Sequence, residues 1–276
     1  MIKLFKKKQQ NTNITERFFE CQRDGLTIRG TEYRPAGENL PIAIVSHGFM
    51  AFQDTVRHYA KLFAELGFAA YSFDFCGGSV IKGKSDGKTT EMSVLTEVKD
   101  LEAVIEYTKC LSYTDACDVT LMGCSQEGGF VSALVAAKQK EQIAKLVLFY
   151  PALCIPDDAR AGKMMFAKFD PNNIPKIVHC GPMKLGRCYV ADVIGMNPFE
   201  EIKGYPGEVL IVHGTADKIV NWDYAKRAYQ TYLKNNPAGL VPEQRETLRL
   251  IEDGAHGFSK KHDKMAMEEI KKFLNR

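Results

Sequence analysis

A strand that runs into a tight turn with a serine at its tip, and from there into a helix, leaves few folds open to this chain. Asp118-Val119-Thr120-Leu121-Met122 carries the apolar run of a buried strand, Gly123-Cys124-Ser125-Gln126 the turn, and Phe130 to Lys138 a helix-forming stretch. A sharp strand-to-helix turn of this kind, the nucleophile elbow, lifts a serine oxygen above the end of a parallel sheet. Its usual spacing is G-x-S-x-G. Here Glu127 stands at the last position and the glycines follow at 128 and 129, so Glu127 is either a substitution or an inserted residue.

The rest of the chain supports such a sheet. Residues 14 to 34 read as a hairpin turning at Asp24-Gly25, and strand then alternates with helix. Strands are predicted at 42–46, 68–73, 118–122, 144–149, 208–212 and 247–251. Helices are predicted at 55–66, 92–110, 130–138, 222–233 and 264–274; that at 92–110 has apolar residues at 94, 95, 98, 101, 104 and 105. Short apolar strands between helices imply a mostly parallel sheet covered on both faces. Residues 151 to 205 lack this alternation and are rich in Pro, Gly, Met and Cys, which points to a lid or substrate-binding insertion. At 276 residues, one domain over 14–276 with that insertion is expected, after a basic tail at 1–13.

Composition excludes several classes of function. A net charge of +3 is too small for a nucleic-acid partner. The basic start, Met1 to Lys8, is followed by Gln9, Gln10 and Asn11 with no apolar run, so it reads as a solvated tail and not a secretory signal. No apolar stretch approaches membrane-spanning length. The eight cysteines show no C-x-x-C pair and no zinc-like spacing, which argues against a metal and for a reduced, cytoplasmic protein.

A serine hydroxyl becomes a nucleophile when a base takes its proton and an acid holds that base in place. In elbow-type enzymes the partners follow as Ser, acid, His. Asp217, in the loop after 208–212, and His256, in the glycine-flanked loop after 247–251, fall in that order. Asp223 and Asp253 are the alternative acids. His47 and His213 each end a strand before a glycine and read as loop-shaping. Two backbone N–H groups must hold the developing oxyanion, and Gln126 and Phe49 are placed to supply them. Gly78 to Ser85 also matches the phosphate-binding pattern G-x-x-x-x-G-K-[ST], but Asp86-Gly87 follows where a helix would have to begin, so a surface loop is the reading preferred.

With these loops placed, the chain resembles an α/β-hydrolase over nearly its whole length, and most closely the feruloyl (cinnamoyl) esterase branch of bacterial serine esterases. The resemblance rests on Ser46-His47-Gly48-Phe49, Lys84-Ser85-Asp86-Gly87, Gly123-Cys124-Ser125-Gln126, Ile211 to Asp217 and Gly254-Ala255-His256. That family has His before the serine and Gly two after it; this chain has Cys124 and Glu127. The resemblance implies a carboxylic-ester hydrolase without cofactor, acting on a small-molecule ester, with 151–205 roofing the acyl group. It makes Asp158, in Asp158-Ala159-Arg160-Ala161-Gly162, a candidate partner for a phenolic hydroxyl, against the plainer reading of a helix cap. Met164, Met165, Phe166 and Met183 suit an acyl slot, which keeps an acyl-thioesterase or medium-chain lipase as the alternative. Glu127 keeps a pseudo-hydrolase that binds without turnover as another. Assembly as a homodimer is left open.

Overall fold

The computed structural model describes residues 13–234 and 246–275, so nearly all of the basic tail read at 1–13 lies outside the described residues. The chain begins with the expected hairpin, β1 (Thr15–Arg23) and β2 (Leu26–Arg34). Asp24 and Gly25 both take positive φ, 50° and 80°, the geometry whose twist matches that of the paired strands. Four strands follow, β3 (Leu40–Ser46), β4 (Ala69–Phe73), β5 (Thr114–Cys124) and β6 (Lys145–Phe149). Two short hairpins, β7 (Lys163–Met164) with β8 (Ala167–Lys168) and β9 (Ile177–Cys180) with β10 (Met183–Gly186), precede β11 (Glu208–Gly214) and β12 (Glu246–Ile251). Eight of these strands form one sheet in the order β1-β2-β4-β3-β5-β6-β11-β12. The six from β4 to β12 run parallel, and β2 runs against them, paired antiparallel with both β4 and β1.

Helices cover both faces because the parallel strands are apolar on both. Ile42 and Ile44 of β3 point into one core, and Ala43 and Val45 into the other. The first core is closed by α2 (Val94–Lys109), α3 (Val131–Lys138) and, further along, α7 (Asp223–Lys234). On the opposite face lie α1 (Arg57–Glu65) and α8 (Lys260–Leu274), through Leu62, Phe63, Ala266, Ile270 and Phe273. Each fully buried Leu, Ile or Phe contributes roughly 1.5–3 kcal/mol of transfer free energy.

Caps set the helix starts. Ser93 and Thr96 form a reciprocal capping box, so α2 begins at Val94. The Ser259 side chain accepts from the His262 N–H, so α8 starts at Lys260, four residues ahead of the apolar periodicity that placed its start at 264.

Residues 151–205 are less irregular than their sequence suggests. They contain α4 (Ile155–Arg160), the two hairpins, α5 (Arg187–Ile194) and α6 (Pro198–Glu201). Strands of two and four residues are too short to leave a period-2 signature. Met164, Cys180, Met183, Leu185, Tyr189 and Val190 from this segment are buried in the first core.

Candidate active site

Ser125 leaves the end of β5 with φ of 58°, a left-handed conformation unusual for a residue with a side chain. The turn it opens is π-helical over Ser125–Phe130, after which α3 begins. A π turn holds one residue more than an α turn. The glycines show where that residue has gone. A Cβ on Gly128 would lie 2.3 Å from the Ser46 carbonyl oxygen and 2.8 Å from that of His47, and a Cβ on Gly123 would lie 1.9 Å from the Gly128 oxygen. Gly128, three residues after the serine, therefore makes the close approach that the motif reserves for the residue two after it. Glu127 is the residue that the wider turn accommodates. On the other side, a Cβ on Gly48 would come within 3.0 Å of Ser125 Cβ, so a glycine there lets the β3 loop reach the serine.

Asp217 follows β11 and His256 follows β12, neighbouring parallel strands, and their loops are fastened together. Thr215 N–H donates to Ile251 O at 3.0 Å, and Ala216 N–H to Gly254 O at 2.9 Å. A Cβ on Gly214 would meet the Gly254 oxygen at 2.1 Å, so this contact needs glycine. The result is a continuous chain: Ser125 Oγ lies 2.8 Å from His256 Nε2, and His256 Nδ1 lies 2.8 Å from Asp217 Oδ2. Asp223 begins α7 and Asp253 takes φ of 55° in the loop before His256; neither is the carboxylate on the imidazole.

The Asp217 side chain is buried and has four donors. Oδ1 accepts from the N–H groups of Ile219 and Val220, both at 2.9 Å. Oδ2 takes His256 and also His213 Nε2 at 3.1 Å. His213 Nε2 lies as close to the Val220 carbonyl oxygen, 3.1 Å; both partners are acceptors, so that nitrogen carries the hydrogen. Burial pushes the Asp217 carboxyl upward, but the hydrogen bonds from His213, His256 and Val220 outweigh it and hold the group well below the usual carboxylate range. His213, read from sequence as loop-shaping, thus bears directly on Asp217; the four-residue spacing between them was the available signal. Tyr150 was not singled out at all. It directly follows β6 with φ of 38°, and its ring lies 4.7 Å from the His256 ring and 4.9 Å from that of Phe258.

Two cavities meet at Ser125 and His256. One, of about 490 Å³, is bounded by Gly48, Phe49, Tyr59, Tyr150, Lys260 and Asp263 among others. The other, of about 120 Å³, lies under the 151–205 segment and is lined by Phe49, Gln126, Ile155, Asp158, Met164 and Met165, with Ile219 and Val220 from the acid loop. Asp158 sits inside α4, whose N-terminal cap is Cys154, and pairs with Lys163 Nζ at 2.9 Å, so the helix-cap reading fails. His47 is buried and accepts from the Phe75 N–H at 3.3 Å; burial depresses its basicity. The phosphate-loop pattern leads into no helix: the Ser85 hydroxyl donates to Asp74 O, Asp86 accepts from Thr27 N–H and Arg29, and the next helix begins at Val94. Among the described residues no cluster of three or more His, Cys, Asp or Glu is arranged to hold a metal, and no helix is long and apolar enough to cross a membrane.

Residues 37–186, more than half of the chain, match the family model Hydrolase_4, described as serine aminopeptidase, S33. The chain belongs to this family of α/β-hydrolases. Among solved structures it is similar to Est1E from Butyrivibrio proteoclasticus with ferulic acid bound, with a TM-score of 0.81 and 26% identity over 94% of this chain and 100% of that one. The esterase Pf2001 of Pyrococcus furiosus shares the fold at a TM-score of 0.69 and 18% identity, covering 95% of this chain and 93% of that one. An uncharacterised 31.7 kDa protein of Escherichia coli is 28% identical over 125 residues, 45% of this chain and 41% of the relative, so the chain spans less than half of that relative's length. Protein YfhR of Escherichia coli O157:H7 is 23% identical over 91% of this chain and 78% of its own.

Proposed function

We propose that the chain is a carboxylic-ester hydrolase working through an acyl-enzyme on Ser125. The observation that carries this reading is the unbroken Ser125–His256–Asp217 chain of 2.8 Å contacts, opened by a serine at positive φ. His256 Nε2 takes the Ser125 proton as Oγ attacks the ester carbonyl, and returns it to the departing alcohol; water then repeats the sequence on the acyl-enzyme. Asp217 orients the imidazole and stabilises its charged form. The N–H groups of Phe49 and Gln126 hold the oxyanion. This chemistry needs no metal or organic cofactor. The smaller, mostly apolar cavity under 151–205 takes the acyl group, with Asp158 meeting a phenolic hydroxyl. Ferulic acid bound to the similar Est1E supports an aromatic acyl group of the feruloyl or cinnamoyl kind. The absence of the usual histidine before the serine and the displaced glycine leave the fold of the turn intact, which favours turnover over mere binding.

Labelling with a fluorophosphonate probe, together with hydrolysis of aryl, alkyl and thioester substrates and a peptide amide, tests the reading. Ser125→Ala should abolish labelling, and Ser125→Ala or His256→Ala should cost on the order of 10⁴-fold or more in turnover. A wild type that takes no label and turns over none of the panel would leave a ligand-binding pseudo-hydrolase. A clear preference for thioesters would move the substrate class.

A further inference from the structure

The two-residue tip of the β7–β8 hairpin is Met165-Phe166, and both side chains reach solvent, at 38% and 71% exposure. Met165 takes φ of 49°, where such turns ordinarily use Gly, Asn or Asp. Ile219, 49% exposed, lies on the acid loop and shares the mouth of the smaller cavity with Met165. Met165 and Ile219 form an apolar rim on that cavity, and Phe166, beside Met165 at the hairpin tip, is not among its lining residues: it faces solvent and not the acyl slot for which its sequence suited it. Phe166 also neighbours the β9–β10 hairpin: a Cβ on Gly181 at its tip would lie 3.4 Å from the Phe166 ring.

The segment that carries the two hairpins is one-sided in charge. Residues 161–187 hold Lys163, Lys168, Lys176, Lys184 and Arg187 against a single Asp170, a net +4 where the whole chain carries +3. Lys163 and Lys168 stand opposite each other across the hairpin that carries the apolar tip, and Lys168, Lys176, Lys184 and Arg187 are exposed. Lys163 is partly neutralised by Asp158. Exposed apolar side chains flanked by cations suit a negatively charged lipid layer, where the apolar tips enter the headgroup–acyl boundary and the lysines meet phosphate.

We propose that this rim is a docking surface for an anionic lipid layer, on which the chain adsorbs reversibly through Phe166, Met165 and Ile219. Where the hydrolase reading also holds, the cavity mouth then opens onto the layer and can receive an acyl group from it.

The purified full chain is sedimented with vesicles of phosphatidylglycerol mixed with phosphatidylcholine, and with vesicles of phosphatidylcholine alone. The bound fraction should be about fivefold or more higher on the anionic vesicles at low salt and should fall as salt is raised. Phe166→Ser and the double variant Lys168→Glu/Lys184→Glu should each reduce binding by about fivefold or more. Hydrolysis of a water-soluble short-chain nitrophenyl ester, without vesicles, should stay within about twofold of wild type for both, which reports an intact fold. No enrichment on anionic vesicles, or enrichment that neither variant lowers, would overturn the proposal. Binding lowered by the lysine changes alone would also overturn it, because the apolar tip would then play no part. A wild type that binds vesicles but hydrolyses no ester would sink the hydrolase reading and leave the docking surface standing.

Discussion

Asp217 shows how far one carboxylate can be specified by its surroundings. Its side chain is buried, yet four donors converge on it, and their effect exceeds the cost of removing its charge from water. In the unfolded chain its pKa returns to about 4. Because the folded value is depressed, the unfolded chain takes up the proton first as pH falls. Asp217 therefore contributes stability that is complete above about pH 5 and is lost progressively below that toward its folded value. Asp217→Asn should remove this dependence, so its Tm should fall less than that of wild type between about pH 6 and pH 3. Equal falls would show that the ionised carboxylate adds nothing to stability. Asp158 presents a contrasting case, since it is partly exposed and is paired with the exposed Lys163. If it meets a phenolic hydroxyl, Asp158→Ala should penalise hydroxylated cinnamate esters by about 1–3 kcal/mol relative to unhydroxylated ones. Equal loss on both, measured as kcat/KM, would reject that contact.

At the scale of elements, the turn from β5 into α3 is where this chain departs from the usual spacing. The π turn over Ser125–Phe130 allows Gly128 to lie against Ser46 and His47 while the serine keeps its place at the tip. Gly128→Ala should therefore destabilise the fold by roughly 1–3 kcal/mol or more, since the new Cβ meets backbone oxygens that cannot rotate away. Glu127→Ala should leave Tm nearly unchanged. Deleting Glu127 shortens the turn to the common spacing and should preserve or raise turnover better than Glu127→Gly does. Thermal melts and steady-state kinetics on wild type and the four variants check this. A tolerated Gly128→Ala beside a collapsed Glu127→Ala would reverse the assignment of the two positions.

Across the whole molecule, the site is assembled from four strand ends. The β3 loop brings Gly48 and Phe49, β5 Ser125, β11 Asp217 and β12 His256, and these strands all run parallel to deliver their C-terminal ends to one edge of the sheet. Ligands of open α/β sheets bind along that edge. The 151–205 segment supplies what the sheet cannot, an apolar wall of Ile155, Met164 and Met165 facing the serine. The two cavities thus differ in origin: one lies between the β3 loop, α1 and the start of α8, the other beneath the inserted hairpins.

Local information in the chain was enough to determine the hairpin at Asp24-Gly25, the alternation of strands and helices, and the placement of Ser125, Asp217 and His256 each just past a strand. Each of these depends on near neighbours: turn chemistry, apolar period, and the position of a residue just past a strand. Tertiary structure decided the rest. Glu127 could be read as a substitution or an insertion until the backbone showed which glycine touches the neighbouring strand, a contact between residues some eighty positions apart. The Tyr150 ring beside His256 required the packing of β6, β11 and β12 side by side. The small hairpins of 151–205 left no periodic trace, because strands of two to four residues gain their stability from what they pack against and not from their own pattern.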